Sequence, residues 1–108
     1  MIVRADLPKG LQGAQICHAS GESAANGDVP EGTHAVVLQV DNEEDLLGVA
    51  DQLWSKVQLR NDDYVVIVEP DLPNTGHAYA GQFTAIGIRP TQDRKKLASV
   101  IGRLALLR

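Results

Sequence analysis

Several features are scarce in this chain of 108 residues, and each absence removes a class of protein. The single cysteine, Cys17, cannot build an internal disulfide framework, which fits a reducing compartment and predicts a cytoplasmic protein. No apolar run approaches the ~20 residues needed to cross a bilayer, and no signal-peptide pattern opens the chain, so no membrane partner is expected. Repeats, low-complexity tracts and Pro/Ser-rich linkers are missing, which predicts one domain over residues 1–108. His18, His34, His77 and Cys17 offer no ligand pair at a recognised spacing, so neither a metal site nor a cofactor is expected. Gly10 and Gly13 fit neither GxGxxG nor the P-loop signature. An excess of basic residues is also lacking, since the formal net charge is −4. Taken alone, that argues mildly against a nucleic-acid partner.

What is present is ordinary for a folded soluble domain: 44% hydrophobic and 22% charged residues, a balance that excludes wholesale disorder. Strand-like and helix-like segments alternate. Met1–Arg4 reads as a short strand, followed by the turn Leu7-Pro8-Lys9-Gly10. Residues 11–25 are rich in Ala, Gly, Ser and Gln and read as a helix able to lie close to a sheet. Ala35–Leu38 and Val65–Val68 do not alternate, which predicts strands covered on both faces. Asp41 precedes a helix with a capping-box Glu44, and Leu46, Val49, Ala50, Leu53 and Val57 keep a 3.6-residue period, with Trp54 flanking it. Phe83–Ile88 reads as a strand stopped by Pro90. Thr91 is placed to cap a last helix with the stripe Leu97, Val100, Ile101 and Leu104. The expected architecture is a three-layer α/β/α domain with a small, at least partly parallel sheet. The polar segment Pro70–Gln82 is long for a connection in so small a domain, and such loops are often functional or disordered.

His18 is the first candidate for chemistry. On a helix it shares a face with Leu11 and Gln15, whereas Cys17 is rotated about 100° away, so the adjacent pair cannot form a Cys–His nucleophile. A lone helical histidine is more often packed than reactive, and only a placed partner changes that. Asp71, Thr75 and Thr84 lie in or beside the long polar segment, where turn chemistry and strand preference also account for them.

The segments in order are similar to the type 2 peptidyl-tRNA hydrolase family. Val3-Arg4-Ala5-Asp6-Leu7 resembles its V-R-x-D-L, Ala14-Gln15-Ile16-Cys17-His18-Ala19 its A-Q-x-x-H-A helix, and Thr84-Ala85-Ile86-Gly87-Ile88-Arg89-Pro90 its closing T-x-x-G-I-x-P. The resemblance spans nearly the whole chain. It implies a four-stranded mixed sheet between helical layers and hydrolysis of the ester joining a peptide to the 3′ end of tRNA. It implies His18, Asp71, Thr75 and Thr84 as the catalytic set. It also implies tRNA or peptidyl-tRNA as partner and leaves a homodimer open. Where the family has D-A-G-x-T, this chain has Asp71-Leu72-Pro73-Asn74-Thr75, and one extra residue precedes Thr84. The family lysine, seven residues before the histidine, is replaced by Leu11; Lys9, nine residues before His18, points elsewhere on a helix and contributes only from a flexible turn. Pro8-Lys9-Gly10-Leu11 is closer to a divergent branch, the peptidyl-tRNA hydrolase domain-containing proteins.

In this reading His18 is the general base or water-orienting group, suited to neutral pH. Asp71 orients the imidazole. Thr84 and Thr75 hold the substrate carbonyl or ribose, and Gln15 and Lys9 lie on the substrate side. Loss of a fixed cation reduces the rate on the order of 10²–10³, by analogy with oxyanion-hole deletions. The alternatives are a non-catalytic relative that binds RNA or protein, and a hydrolase of another ester or amide. The charge is also polarised. Residues 1–71 carry 4 basic and 13 acidic residues, whereas residues 72–108 carry 6 and 1. Arg89, Arg94, Lys95 and Lys96, with Arg103 and Arg108, make either a solvated helix face or a phosphate-binding edge.

Overall fold

The computed structural model describes residues 1–25, 29–69, 79, 81–91 and 94–108. Its elements in chain order are β1 (Ile2–Arg4), α1 (Lys9–Ala24), β2 (Leu38–Val40), α2 (Glu43–Ser55), β3 (Tyr64–Val68), β4 (Phe83–Ile88), α3 (Arg94–Ile101) and β5 (Ala105–Leu106). The strands form one mixed sheet in the order β3-β4-β1-β2-β5. Only β1 and β2 are parallel; β4 runs antiparallel to both β1 and β3, and β5 antiparallel to β2. Among the described residues the sheet therefore has five strands, not the four expected. The additional one is the exposed two-residue edge β5, too short to leave a periodic signal. Among the described residues no helix is long and apolar enough to cross a membrane.

Alternation along the central strands divides the core. Ile2 and Ile86 pack with Val40, Leu46, Val49, Leu53, Val57, Leu97 and Val100, beneath α2 and α3. Their neighbours Val3 and Ala85 point the other way and pack with Leu7, Ala19 and Ile67, beneath α1. The expected stripe of the second helix is thus its buried face. The cap differs by one residue: Asn42, in extended conformation, accepts from the Asp45 amide at 2.9 Å, so Asn42 rather than Asp41 closes the first turn of α2. At its other end Gln58 adopts φ +62° and the Leu59 amide donates to the Leu53 carbonyl, six residues back, at 2.9 Å, so the chain leaves the helix through one left-handed residue.

Two apolar runs are less covered than their composition suggests. β2 begins at Leu38, and Val36 before it is exposed. β3 is the sheet edge, so only Ile67 is buried while Val68 is 45% exposed. Continuous apolarity here reflects an edge position rather than cover on both faces. α1 begins at Lys9, two residues earlier than expected, behind Pro8, whose fixed φ suits a helix entry. It lies so close to β4 that a Cβ on Gly87 would sit 2.2 Å from the Ala19 carbonyl oxygen. That contact requires glycine. It also sets α1 running in the same direction as β4, with Gln15 near the start of the strand and Ala19 near its end.

Candidate functional site

The buried face of α1 is mainly polar, comprising Gln12, Gln15, Ala19 and Ser23. Such a face is stable only if every polar group finds a partner. Gln12 Nε2 donates to the Leu7 carbonyl at 2.7 Å and to the Ala5 carbonyl at 3.2 Å. Gln15, 2% exposed, reaches two elements at once. Its Nε2 donates to Glu69, just past β3, and its Oε1 accepts from Thr84 Oγ1 at 2.8 Å. Thr84 has no exposed surface. Among the described residues no buried side-chain nitrogen or oxygen lacks a partner.

The β1–β4 register pairs Ile2 with Ile86 and Val3 with Ala85, which carries Arg4 to the level of Thr84 at the same sheet end. Arg4 is 4% exposed, and its guanidinium donates four hydrogen bonds. Nε and Nη2 grip the two Asp6 oxygens at 2.9 and 2.8 Å, and Nη1 donates to Gln82 Oε1 at 2.8 Å and to the Phe83 carbonyl at 3.0 Å. Tyr79 adds its ring 5.6 Å from the guanidinium carbon, and its hydroxyl donates weakly to the Asp6 carbonyl at 3.4 Å. Glu43, at the start of α2, accepts from the Phe83 amide at 2.8 Å. The hydrogen bond from Arg4, more than its charge, holds the Asp6 carboxyl below the usual aspartate range, and the same bond raises Arg4. Such a two-pronged pair supplies orientation as well as charge.

The expected site residues divide between the two ends of the sheet. Gln15 and Thr84 meet directly. His18 follows Gln15 by less than one turn and is exposed, off the buried stripe. Leu11, in the lysine position, is half-buried against the α1-side core. Lys9 Nζ donates at 2.7 Å to the Arg108 main-chain oxygen, away from Gln15 and Thr84. Asp71 and Thr75 lie outside the described residues, as does most of the long polar segment. Arg89 lies five residues beyond Thr84 along β4, about 16 Å at the usual rise of a strand. There it is half-buried in the lining of a cavity of about 320 Å³, with Val57, Leu59, Ile88, Leu97 and Lys96. Arg94, Lys95 and Lys96 are exposed on the first turn of α3, a turn without an acidic residue.

The sequence reading missed Glu69, Gln12, Glu43 and Tyr79, and took Arg4 only as part of a motif. One signal was available. Gln12, Gln15, Ala19 and Ser23 repeat at helical spacing, but hydrophobicity does not mark such a stripe as buried. Among the described residues no three His, Cys, Asp or Glu side chains gather as metal ligands. Compared with known proteins, the chain matches no family model and no curated sequence.

Proposed function

We propose that the chain is a peptidyl-tRNA hydrolase-like protein that cleaves the ester between a peptide and the 3′ end of tRNA. The observation that carries this reading is the buried 2.8 Å hydrogen bond between Thr84 and Gln15. It joins the A-Q-x-x-H-A helix to the T-x-x-G-I-x-P strand, and the Arg4–Asp6 pair of the V-R-x-D-L segment lies at the same sheet end. Three segments up to 80 residues apart thus converge. The two core clusters favour the α/β/α layering that belongs with this reading. A cytoplasmic location and a homodimer belong with it as well.

Ester cleavage needs a base, a water and a held carbonyl. His18 has the exposure to meet a water at the surface of α1. The imidazole takes a proton from that water as hydroxide adds to the ester carbonyl. The carbon–oxygen bond to the ribose then breaks, and the ribose 3′ oxygen takes the proton back. Asp71 and Thr75 keep the roles implied by the resemblance. Thr84 departs from its expected role, since it is buried and donates to Gln15; it holds the helix rather than the substrate. Arg89, Arg94, Lys95 and Lys96 serve as phosphate contacts away from the reacting bond.

One observation favours a second reading, a non-catalytic RNA-binding relative. Leu11 replaces the lysine and Lys9 is engaged at Arg108, so neither supplies a cation beside Gln15. Peptide release from peptidyl-tRNA, measured for wild type and His18→Ala, separates the two. Release above background that falls in the variant supports the enzyme; equal background rates refute it. Neutralising Arg94, Lys95 and Lys96 should weaken RNA binding and flatten its salt dependence by about one unit of log–log slope for each phosphate no longer neutralised. Unchanged binding removes the phosphate edge from either reading.

A further inference from the structure

The hydrogen bonds around Gln15 have a polarity that chemistry forces. An ionised carboxylate can only accept, so the Gln15 atom facing Glu69 is the amide nitrogen. The Gln15 oxygen therefore faces Thr84, and because that oxygen cannot donate, the Thr84 hydroxyl commits its single proton to it at 2.8 Å. The next acceptor in reach of Thr84 is the Ile67 carbonyl at 3.4 Å, too long to compete. One carboxylate at the end of β3 thus decides the direction of the whole chain of bonds and ties α1 to β3 and β4 together.

Glu69 is well placed for this. Its amide donates to the Gln82 carbonyl at 2.9 Å and its carbonyl accepts from the Gly81 amide at 2.8 Å, so the backbone on both sides of the long connection holds it. Gly81 has φ +77°, a conformation that favours glycine and makes this closure available. Gln15 is fixed from both of its polar atoms, which sets the rotation of α1 about its own axis. His18 is on the same helix three residues on, so that rotation also sets where the imidazole emerges.

We propose that Glu69 is the positioning carboxylate of this site: it clamps Gln15, commits the Thr84 proton, and holds α1 at the rotation that presents His18. The kinetic consequence rests on the hydrolase reading; the clamp itself does not. Two measurements on the full chain test it. In the first, unfolding equilibria are compared for wild type, Gln15→Glu, Glu69→Gln and the exchanged double variant. Gln15→Glu sets two carboxylates against each other and should raise the unfolding constant more than tenfold. The exchange restores one donor and one acceptor with the Thr84 proton still directed to position 15. It should therefore recover at least threefold more than the single effects predict. Additivity within about twofold overturns the clamp. In the second, peptide release is measured for Glu69→Leu and Glu69→Gln. Glu69→Leu removes every acceptor and should lower kcat about 10- to 100-fold with KM nearly unchanged. Glu69→Gln can present its oxygen to Gln15 and should recover most of that loss. A change in KM alone, or no change, overturns the positioning role. If wild type releases no peptide, the hydrolase reading falls and the unfolding cycle decides the clamp by itself.

Discussion

Replacing Gly87 with alanine probes the contact that brings α1 onto the sheet. The added Cβ would lie 2.2 Å from the Ala19 carbonyl oxygen, 2.8 Å from its carbon and 3.1 Å from the Ser23 Cβ. Two of these atoms are backbone, so no rotamer change relieves them, and α1 must lift by roughly 1 Å to reach ordinary contact distance. Overpacking of this kind costs about 1–3 kcal/mol. The same shift would stretch the 2.8 Å Thr84–Gln15 bond beyond hydrogen-bonding range, leaving buried polar atoms unpaired at about 1–3 kcal/mol more. The combined loss, roughly 2–6 kcal/mol, is a large part of the 5–15 kcal/mol that holds a typical domain together. With a urea slope of about 1–3 kcal/mol per molar, the unfolding midpoint should fall by about 1–2 M. Gly13→Ala is the control on the same helix. Its Cβ meets nothing within 4 Å, so it should gain roughly 0.5–1 kcal/mol from lower chain entropy. A Gly87→Ala unfolding free energy within about 0.5 kcal/mol of wild type would refute the reasoning, because α1 would then not be seated on β4 as described.

Thr84→Val keeps the shape of the side chain but leaves Gln15 Oε1 without its donor, so it should destabilise by about 1–3 kcal/mol, read as a lower melting temperature, while Thr84→Ser should retain most of the stability. Gln58→Gly should stabilise by about 0.5–1 kcal/mol in urea unfolding, because a non-glycine residue occupies the left-handed position that ends α2; no gain would mean that the side chain there offsets its backbone strain. Asp6 has a folded-state pKa held down by the hydrogen bond from Arg4, so its stabilisation is complete above the unfolded value near ~3.9 and disappears as pH falls through the folded one. Stability should therefore drop less steeply from pH 5 to pH 2 in Asp6→Asn than in wild type; parallel curves would show that the pair is not coupled to folding.

The helices were legible where apolar residues kept a helical period. Leu46, Val49 and Leu53 on α2, Val57 just past its end, and Leu97 and Val100 on α3 lie inward as their spacing required. α1 was legible as a helix but not for its buried face, because three of its four buried residues are polar and only their partners explain their burial. Val65–Val68 was legible as a strand, yet apolar composition does not distinguish an edge strand from a central one. The pairing partner on the other side decides that.

For the candidate site, Gln15, His18 and Thr84 could be singled out from motif spacing, but not which of them meet. Register settles it: the pairing of β1 with β4 fixes Arg4 at the level of Thr84, and the Gly87 approach sets α1 so that Gln15 reaches both Thr84 and Glu69. Glu69 carries no signal of its own, being one of fourteen acidic residues.

The amino-acid sequence by itself determined the mixed α/β class, the apolar stripes and the segregation of basic residues toward the last helix, because local periodicity and composition suffice for these. Only the tertiary structure decided that Thr84 is a buried strut and that Lys9 is tied elsewhere. It also decided that the basic cluster faces the opposite end of the sheet from Gln15. The physical reason is that hydrogen-bond polarity, strand register and close helix approach join residues far apart in the chain, and spacing along the chain does not encode distances across it.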